Sequence, residues 1–264
     1  MIVETIWTNN RARNFNYLIA CPETGQCVAI DPVAHEQCID RAGQRGWQIT
    51  HIINTHEHSD HISGNRPMVL ATGAQLLAPH NAVDKIDSVD RALAEDDMVR
   101  VGRQVELQVL ETPGHTMSHI CLLTSQDPPG LFSGDAVFTA GVGNCRNGGD
   151  PTTLYETLAS KLFPLPHATR LYPGHEYIQN NLAFSLDREP DNQDVQKLLQ
   201  QLGESYDPND PVITTLDFER RINPFFRLHC QGVIKRLKES FPELPDDPQP
   251  RDVFLRLRQL RDRW

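Results

Sequence analysis

The chain has 264 residues, 39% of them hydrophobic and 23% charged, enough to bury a large core without disulfides or a structural metal. Lys and Arg number 25 against 35 Asp and Glu, and the resulting charge of −10 argues against nucleic acid as a partner. No uncharged apolar run approaches the roughly 18 residues of a membrane span, and Glu4, Asn9 and Asn10 occupy the stretch where a signal peptide is apolar, so no membrane partner and a cytoplasmic location are expected.

In chain order, residues 2–7 read as a strand. Residues 15–20 and 27–31 read as a hairpin around the turn Glu23-Thr24-Gly25-Gln26. Cys21 and Cys27 flank that turn, but none of the six cysteines has CxxC spacing, and free thiols in a reducing compartment are expected. Residues 35–46 read as a helix with Cys38, Ile39 and Ala42 on one face and Gly46 as its stop. Residues 49–55 form an apolar strand that runs into His56-Glu57-His58-Ser59-Asp60-His61. Strands over 105–110, 119–124 and 131–133 follow, then a helix over 152–163 and a strand over 169–172. Beyond His175 the pattern is helical: 177–189, an amphipathic stretch carrying Val195, Leu198, Leu199 and Leu202, and 231–240. Residues 241–250 hold four prolines and read as a loop, and Asp252 reads as the N-cap of a last helix striped by Val253, Phe254, Leu257, Leu260 and Trp264.

Four of these strands run into His or Asp: the strands before His56, His115, Asp135 and His175. Gly114, Gly134 and Gly174 stand just before the last three and let the backbone turn sharply. Functional groups gathered at strand ends are how a layered α/β scaffold builds a site. In an extended loop alternate residues point the same way, so His56 and His58 can share one cation while Asp60 and His61 face a neighbouring position. Imidazole and carboxylate donors suit zinc, iron or manganese. A lone histidine is ordinarily a surface or core residue, but five histidines and two aspartates at strand ends point jointly to metal chemistry.

Thr55-His56-Glu57-His58-Ser59-Asp60-His61 resembles the THxHxDH motif of the metallo-β-lactamase superfamily, Thr112-Pro113-Gly114-His115-Thr116 its second motif, and Ser133-Gly134-Asp135 its third. Pro173-Gly174-His175-Glu176-Tyr177 is similar to the last ligand segment of the glyoxalase II (hydroxyacylglutathione hydrolase) family. The likeness continues through Ile222-Asn223-Pro224-Phe225-Phe226-Arg227 to Leu257-Arg258-Gln259-Leu260-Arg261-Asp262, and so spans nearly the whole chain. It implies an α/β fold of the metallo-β-lactamase type, an αββα sandwich over residues 1–176, with a small helical substrate-binding domain over 177–264. It also implies two divalent metal ions, with zinc expected and iron or manganese compatible. His56, His58 and His115 would bind one, Asp60, His61 and His175 the other, and Asp135 both. The implied activity is hydrolysis of an S-(2-hydroxyacyl)glutathione such as S-D-lactoylglutathione by a metal-bridging hydroxide, with Asp60 and Asp135 as catalytic carboxylates. This is the second step of methylglyoxal detoxification.

Glutathione carries two carboxylates, which call for guanidinium or ammonium groups. The resemblance places Arg258 and Arg261, spaced i, i+3 on the final helix, and Tyr177 at the tripeptide. After the bridging aspartate the family usually has Gly-Cys-Gly, a basic residue and, two positions on, an aromatic one. This chain has Gly141-Val142-Gly143-Asn144-Cys145-Arg146, with Asn144 in the basic position and Arg146 in the aromatic one. Either the positive charge has moved by two positions or the pocket reads a different thiol. His119 is expected behind the ligands, and His35, His51, His80, His167 and His229 match no motif. Competing readings are a glutathione persulfide dioxygenase with a single iron, another thioesterase or lactonase of the superfamily, and a binding module with a dead site. A monomer is expected.

Overall fold

Strand alternation sorts the apolar side chains into layers. In β2 (Phe15–Ala20), Phe15, Tyr17 and Ile19 point to one side and Leu18 and Ala20 to the other, and all are buried. The structure, a computed structural model, describes residues 1–203 and 205–264. β1 (Ile2–Trp7), β2 and β3 (Gln26–Ile30) pair antiparallel. After α1 (His35–Arg45), β4 (Gln48–Ile53) joins β3 in parallel. Then come α2 (Ser59–Ile62), α3 (Asn65–Thr72), and the parallel strands β5 (Gln75–Pro79) and β6 (Arg91–Leu93), completing a six-stranded sheet in chain order.

The second sheet has five strands in the order β13-β10-β9-β8-β7. Its members are β7 (Met98–Val101), β8 (Val105–Glu111), β9 (Ile120–Thr124) and β10 (Gly130–Gly134), then β13 (Arg170–Pro173), which lies parallel to β10. Between β10 and β13 come a small hairpin, β11 (Val137–Phe138) with β12 (Gly141–Val142), and α4 (Pro151–Thr157). Phe15, Tyr17, Val28, Ile53, Val109, Phe132 and Tyr172 fill the space between the two sheets. Helices α1 and α3 cover the outer face of the first sheet through Cys38, Ala42 and Met68. The result is an αββα sandwich.

The C-terminal helices are α5 (Ile178–Arg188), α6 (Gln193–Leu202), α7 (Leu216–Ile222), α8 (Gln231–Ser240) and α9 (Pro250–Arg261). Phe184, Phe225, Val253, Phe254 and Leu257 pack with Leu110, Leu131 and Leu171, so these helices share a core with the outer face of the second sheet. The buried Glu219 carboxylate accepts from Ala140 N–H at 2.9 Å, Thr214 Oγ1 at 2.7 Å and Asn223 Nδ2 at 2.9 Å, and ties the β11–β12 hairpin to α7.

Several expectations are corrected. The last helix begins earlier: Gln249 is its N-cap and Pro250 its first residue, where a missing N–H costs nothing, while Asp252 lies in the first turn. The 152–163 helix is α only to Thr157 and widens to a π turn over Leu158–Leu162. Leu154, Leu158 and Leu162 are all fully buried, and a strict spacing of four drifts off one face of an α-helix unless a turn is widened. Residues 62–104, for which the sequence suggested no element, hold α3 and β5–β7. Pro67 falls in the first turn of α3, where proline is tolerated. All six cysteines are free, with Cys27 paired in register to Ala20.

Candidate metal centre

Four strand ends deliver the seven residues to one edge of the sandwich. His56 follows β4, and His58 precedes the one-turn helix α2, which carries Asp60 and His61. His115 follows β8, Asp135 leaves β10 and His175 leaves β13. Two glycines allow the close approach. Gly134 adopts φ +45°, and a Cβ there would lie 2.7 Å from both His119 Nε2 and Thr55 Oγ1. A Cβ on Gly174 would lie 2.6 Å from Asp135 Oδ1.

The seven side chains converge. His58 Nδ1 lies 3.0 Å from both His56 Nε2 and His115 Nε2. Asp60 Oδ2 lies 3.6 Å from His175 Nε2 and 3.8 Å from His61 Nε2, and the last two nitrogens are 3.2 Å apart. Asp135 stands between these groups: its carboxylate oxygens are 3.3 Å from His115, 3.4 Å from His61 and 3.2 Å from His175. The ligand atoms of His56, His58 and His115 lie within 4.8 Å of one another, as do those of Asp60, His61 and His175, and those of His56, His61 and Asp135.

The outward-facing nitrogens say what the inward ones are for. His115 Nδ1 faces Asn144 O at 2.6 Å, His58 Nε2 faces Asn147 O at 3.0 Å and His175 Nδ1 faces Ala12 O at 2.8 Å. A carbonyl only accepts, so each of these nitrogens carries a hydrogen. His61 Nδ1 faces Asp31 Oδ2 at 2.9 Å, with the same consequence. His56 Nδ1 faces Thr55 Oγ1 at 3.0 Å, whose one hydrogen goes to Asp31 at 2.7 Å, so that nitrogen donates as well. The opposite nitrogen of each ring therefore turns a lone pair, or a displaceable proton, toward a shared space beside Asp135. A cation fits that donor set. So does Asp135 Oδ1, which is buried with no hydrogen-bond partner among the described residues.

Electrostatics agree. Burial depresses the basicity of His56 and His115. His61 moves the other way: burial opposes protonation, but the flanking Asp135 and Asp31 carboxylates lift it to about 9. Burial also works against ionising Asp135, but His175, His61 and His115 hold its carboxyl well below the usual range. A cation bound beside His61 would therefore displace a proton.

Supporting residues escaped the sequence reading. Asp31 binds Thr55 N–H at 2.8 Å as well as His61, orienting that ring. It ends the apolar strand β3, the same signal that marked the other strand-end residues. Glu57 points away from its histidine neighbours and accepts from Thr116 Oγ1 at 3.0 Å, Ser118 Oγ and Lys85 Nζ, clasping the His115 loop. His119 lies behind the ligands as expected. Its Nε2 accepts the backbone N–H of Asp135 at 3.0 Å, and burial lowers it to about 3, so it stays neutral. His80, His167 and His229 are exposed, and His35 and His51 half-buried.

Beside the cluster a cleft of about 200 Å³ is lined by Phe138, Asn144, Arg146, Tyr177, Arg261 and Asp262, among others. It adjoins the metal cluster through Phe138, whose ring meets His175 edge-on at 5.8 Å. The two expected arginines differ. Arg258 also lines the cleft but is 4% exposed, its guanidinium donating to Val142 O at 2.9 Å, Gly143 O at 3.2 Å and the Asp262 carboxylate. Arg261 is half-buried and donates to Asn181 Oδ1 at 3.0 Å, and Arg146 is exposed, 3.8 Å from Asp262. Tyr177 lines the cleft with its ring stacked on His175, while its hydroxyl donates to Ala12 O at 2.9 Å.

Residues 12–175 match the metallo-beta-lactamase superfamily, and the sandwich with its strand-end cluster defines a metallohydrolase of that class. In three dimensions the chain resembles ETHE1 from Myxococcus xanthus (TM-score 0.68, 26% identity, 99% of this chain and 98% of the other). It also resembles TTHA1623 in a di-iron-bound form (TM-score 0.60, 25% identity, 85% and 100% covered). Residues 176–264 match the hydroxyacylglutathione hydrolase C-terminus. The chain is 55% identical to a hydroxyacylglutathione hydrolase of Nitrosococcus oceani and 54% identical to one of Polaromonas sp., over 100% of this chain and of each relative. The chain belongs to the hydroxyacylglutathione hydrolase family.

Proposed function

We propose that the protein hydrolyses S-(2-hydroxyacyl)glutathione, releasing glutathione and a 2-hydroxy acid, with S-D-lactoylglutathione as the test substrate. The observation that carries the reading is the set of five imidazoles whose outer nitrogens are committed as donors, so that their inner nitrogens gather around Asp135. His56, His58 and His115 would hold one divalent cation and Asp60, His61 and His175 a second, with Asp135 placed to serve either position. Zinc is the proposed metal, and the same donors accept iron or manganese. Bound there, a cation pair supplies Lewis acidity and lowers the pKa of water toward neutrality.

Asp135 would offset the charge of the two positions, and Asp60, the more exposed carboxylate, would orient the attacking water. Glutathione thiolate is a good leaving group, so the protein's remaining task is to place the thioester. We assign that task to the cleft: Arg261 and Arg146 read carboxylate, Asn144 and Tyr177 flank the peptide, and Arg258 holds the 142–143 backbone in place. The proposed setting is a reducing, cytoplasmic one, which suits six free cysteines, and no described helix is long and apolar enough to cross a membrane. There the reaction serves methylglyoxal detoxification.

The test is turnover of S-D-lactoylglutathione beside the same acyl group on other thiols, such as coenzyme A. A kcat/KM at least about tenfold higher for the glutathione ester is expected, one charge-assisted contact being worth that much. Equal rates for every thiol would remove glutathione from the reading and leave a general thioesterase.

A further inference from the structure

Asn14 stands where the chain enters β2, outside the seven residues assigned above, and it is 1% exposed. Its backbone is pinned: Thr8 N–H and Thr8 Oγ1 both donate to its carbonyl, and it forms an isolated antiparallel bridge with His175. Its side chain is held in one orientation. Asn10 Nδ2 donates to Asn14 Oδ1 at 2.9 Å, and Asn10 Oδ1 accepts the backbone N–H of Asn14 at 3.1 Å. With Oδ1 occupied as an acceptor, the amide Nδ2 must face the other way. There it meets Asp60 Oδ2 at 3.3 Å and His175 Nε2 at 3.5 Å.

Asp60 is the most exposed of the carboxylates and imidazoles that flank this amide, 36% against 3% for the His175 side chain. A short carboxylate with solvent on one side has rotamers to lose when it binds a cation, and a neighbour that fixes it beforehand lowers that cost. A carboxylate oxygen has two lone pairs, so Asp60 Oδ2 can accept the amide hydrogen and still face a cation.

We propose that Asn14 is a positioning residue that presets the Asp60 carboxylate and thereby sets the affinity of the Asp60–His61–His175 position for its cation. The inference rests on the two-cation reading above. The other triad, His56, His58 and His115, takes its outer contacts from Thr55, Asn147 and Asn144 and owes nothing to Asn14.

The experiment is zinc titration of the full chain against a competing chelator, resolving two binding steps, for the wild type, Asn14→Ala and Asn10→Ala. Asn14→Ala weakens one step by about 10- to 100-fold, the usual effect of losing an outer-shell contact, and leaves the other within about twofold. Asn10→Ala frees the Asn14 amide to turn and weakens the same step by a smaller factor. Cobalt(II) absorption of the loaded protein, which reports on coordination, changes for the weakened step only. Two steps weakened together would mark a merely structural role and overturn the inference, as would unchanged affinities in both variants. A wild type that binds one ion would instead overturn the two-cation reading itself.

Discussion

Asp135→Ala is expected to abolish thioester hydrolysis while leaving the secondary structure intact. The carboxylate touches His115 from one triad and His61 and His175 from the other, so its loss removes the anion between the two proposed cation positions. A fall in kcat of about 10³-fold or more is expected, because Asp135 is the carboxylate placed to serve both proposed positions, and a cation pair held there would supply the activation of water. His229→Ala, at an exposed histidine outside the cluster, keeps full activity. A pH dependence accompanies this. His61 titrates at about 9 without a cation, so a proton competes for its position at lower pH. Cation affinity therefore falls as pH falls, by up to about tenfold per pH unit for that single proton. Metal retention during dialysis at graded pH, followed by circular dichroism and the thioesterase assay, checks both statements. Substantial turnover by Asp135→Ala would refute the shared carboxylate.

The second large effect concerns KM. Arg261→Ala is expected to raise KM for S-D-lactoylglutathione by about 10- to 100-fold with kcat nearly unchanged, the loss of one charge-assisted contact made equally in ground and transition states. Arg258→Ala behaves differently. It leaves the Val142 and Gly143 carbonyls without their Arg258 donor and removes the nearer of the two ionic partners of Asp262. A loss of roughly 2–4 kcal/mol in stability follows, with kcat and KM both disturbed as the loop that bears Asn144 relaxes. Steady-state kinetics and thermal unfolding of the two variants separate the roles. An Arg258→Ala protein of undiminished stability with a raised KM alone would return Arg258 to the substrate.

The contrast between the two arginines shows what a sequence can tell and what it cannot. Their i, i+3 spacing on the last helix is legible, and so is their shared face. Depth is not legible, because it depends on Val142 and Gly143, more than a hundred positions away in the chain, coming to lie over Arg258. The metal cluster was legible for the opposite reason. Four of its members sit within His56–His61, and the others follow apolar strands and glycines that force a turn. Asp31 obeys the same strand-end rule but has no histidine beside it to draw attention. Asn14 leaves no sequence signal, since its role depends on contacts with Asn10, Asp60 and His175. Helix α3 is short, buries only Asn65 and Met68 and has no side-chain N-cap, so it carries little of the periodic signal that marks a helix in sequence.

Metal content of the purified protein, measured with S-D-lactoylglutathione turnover before and after chelation, bears most directly on the central claim. Two divalent ions per chain, activity lost on their removal and regained on their return, is the predicted result. Full turnover by metal-free protein, or one iron per chain with consumption of oxygen, would contradict it.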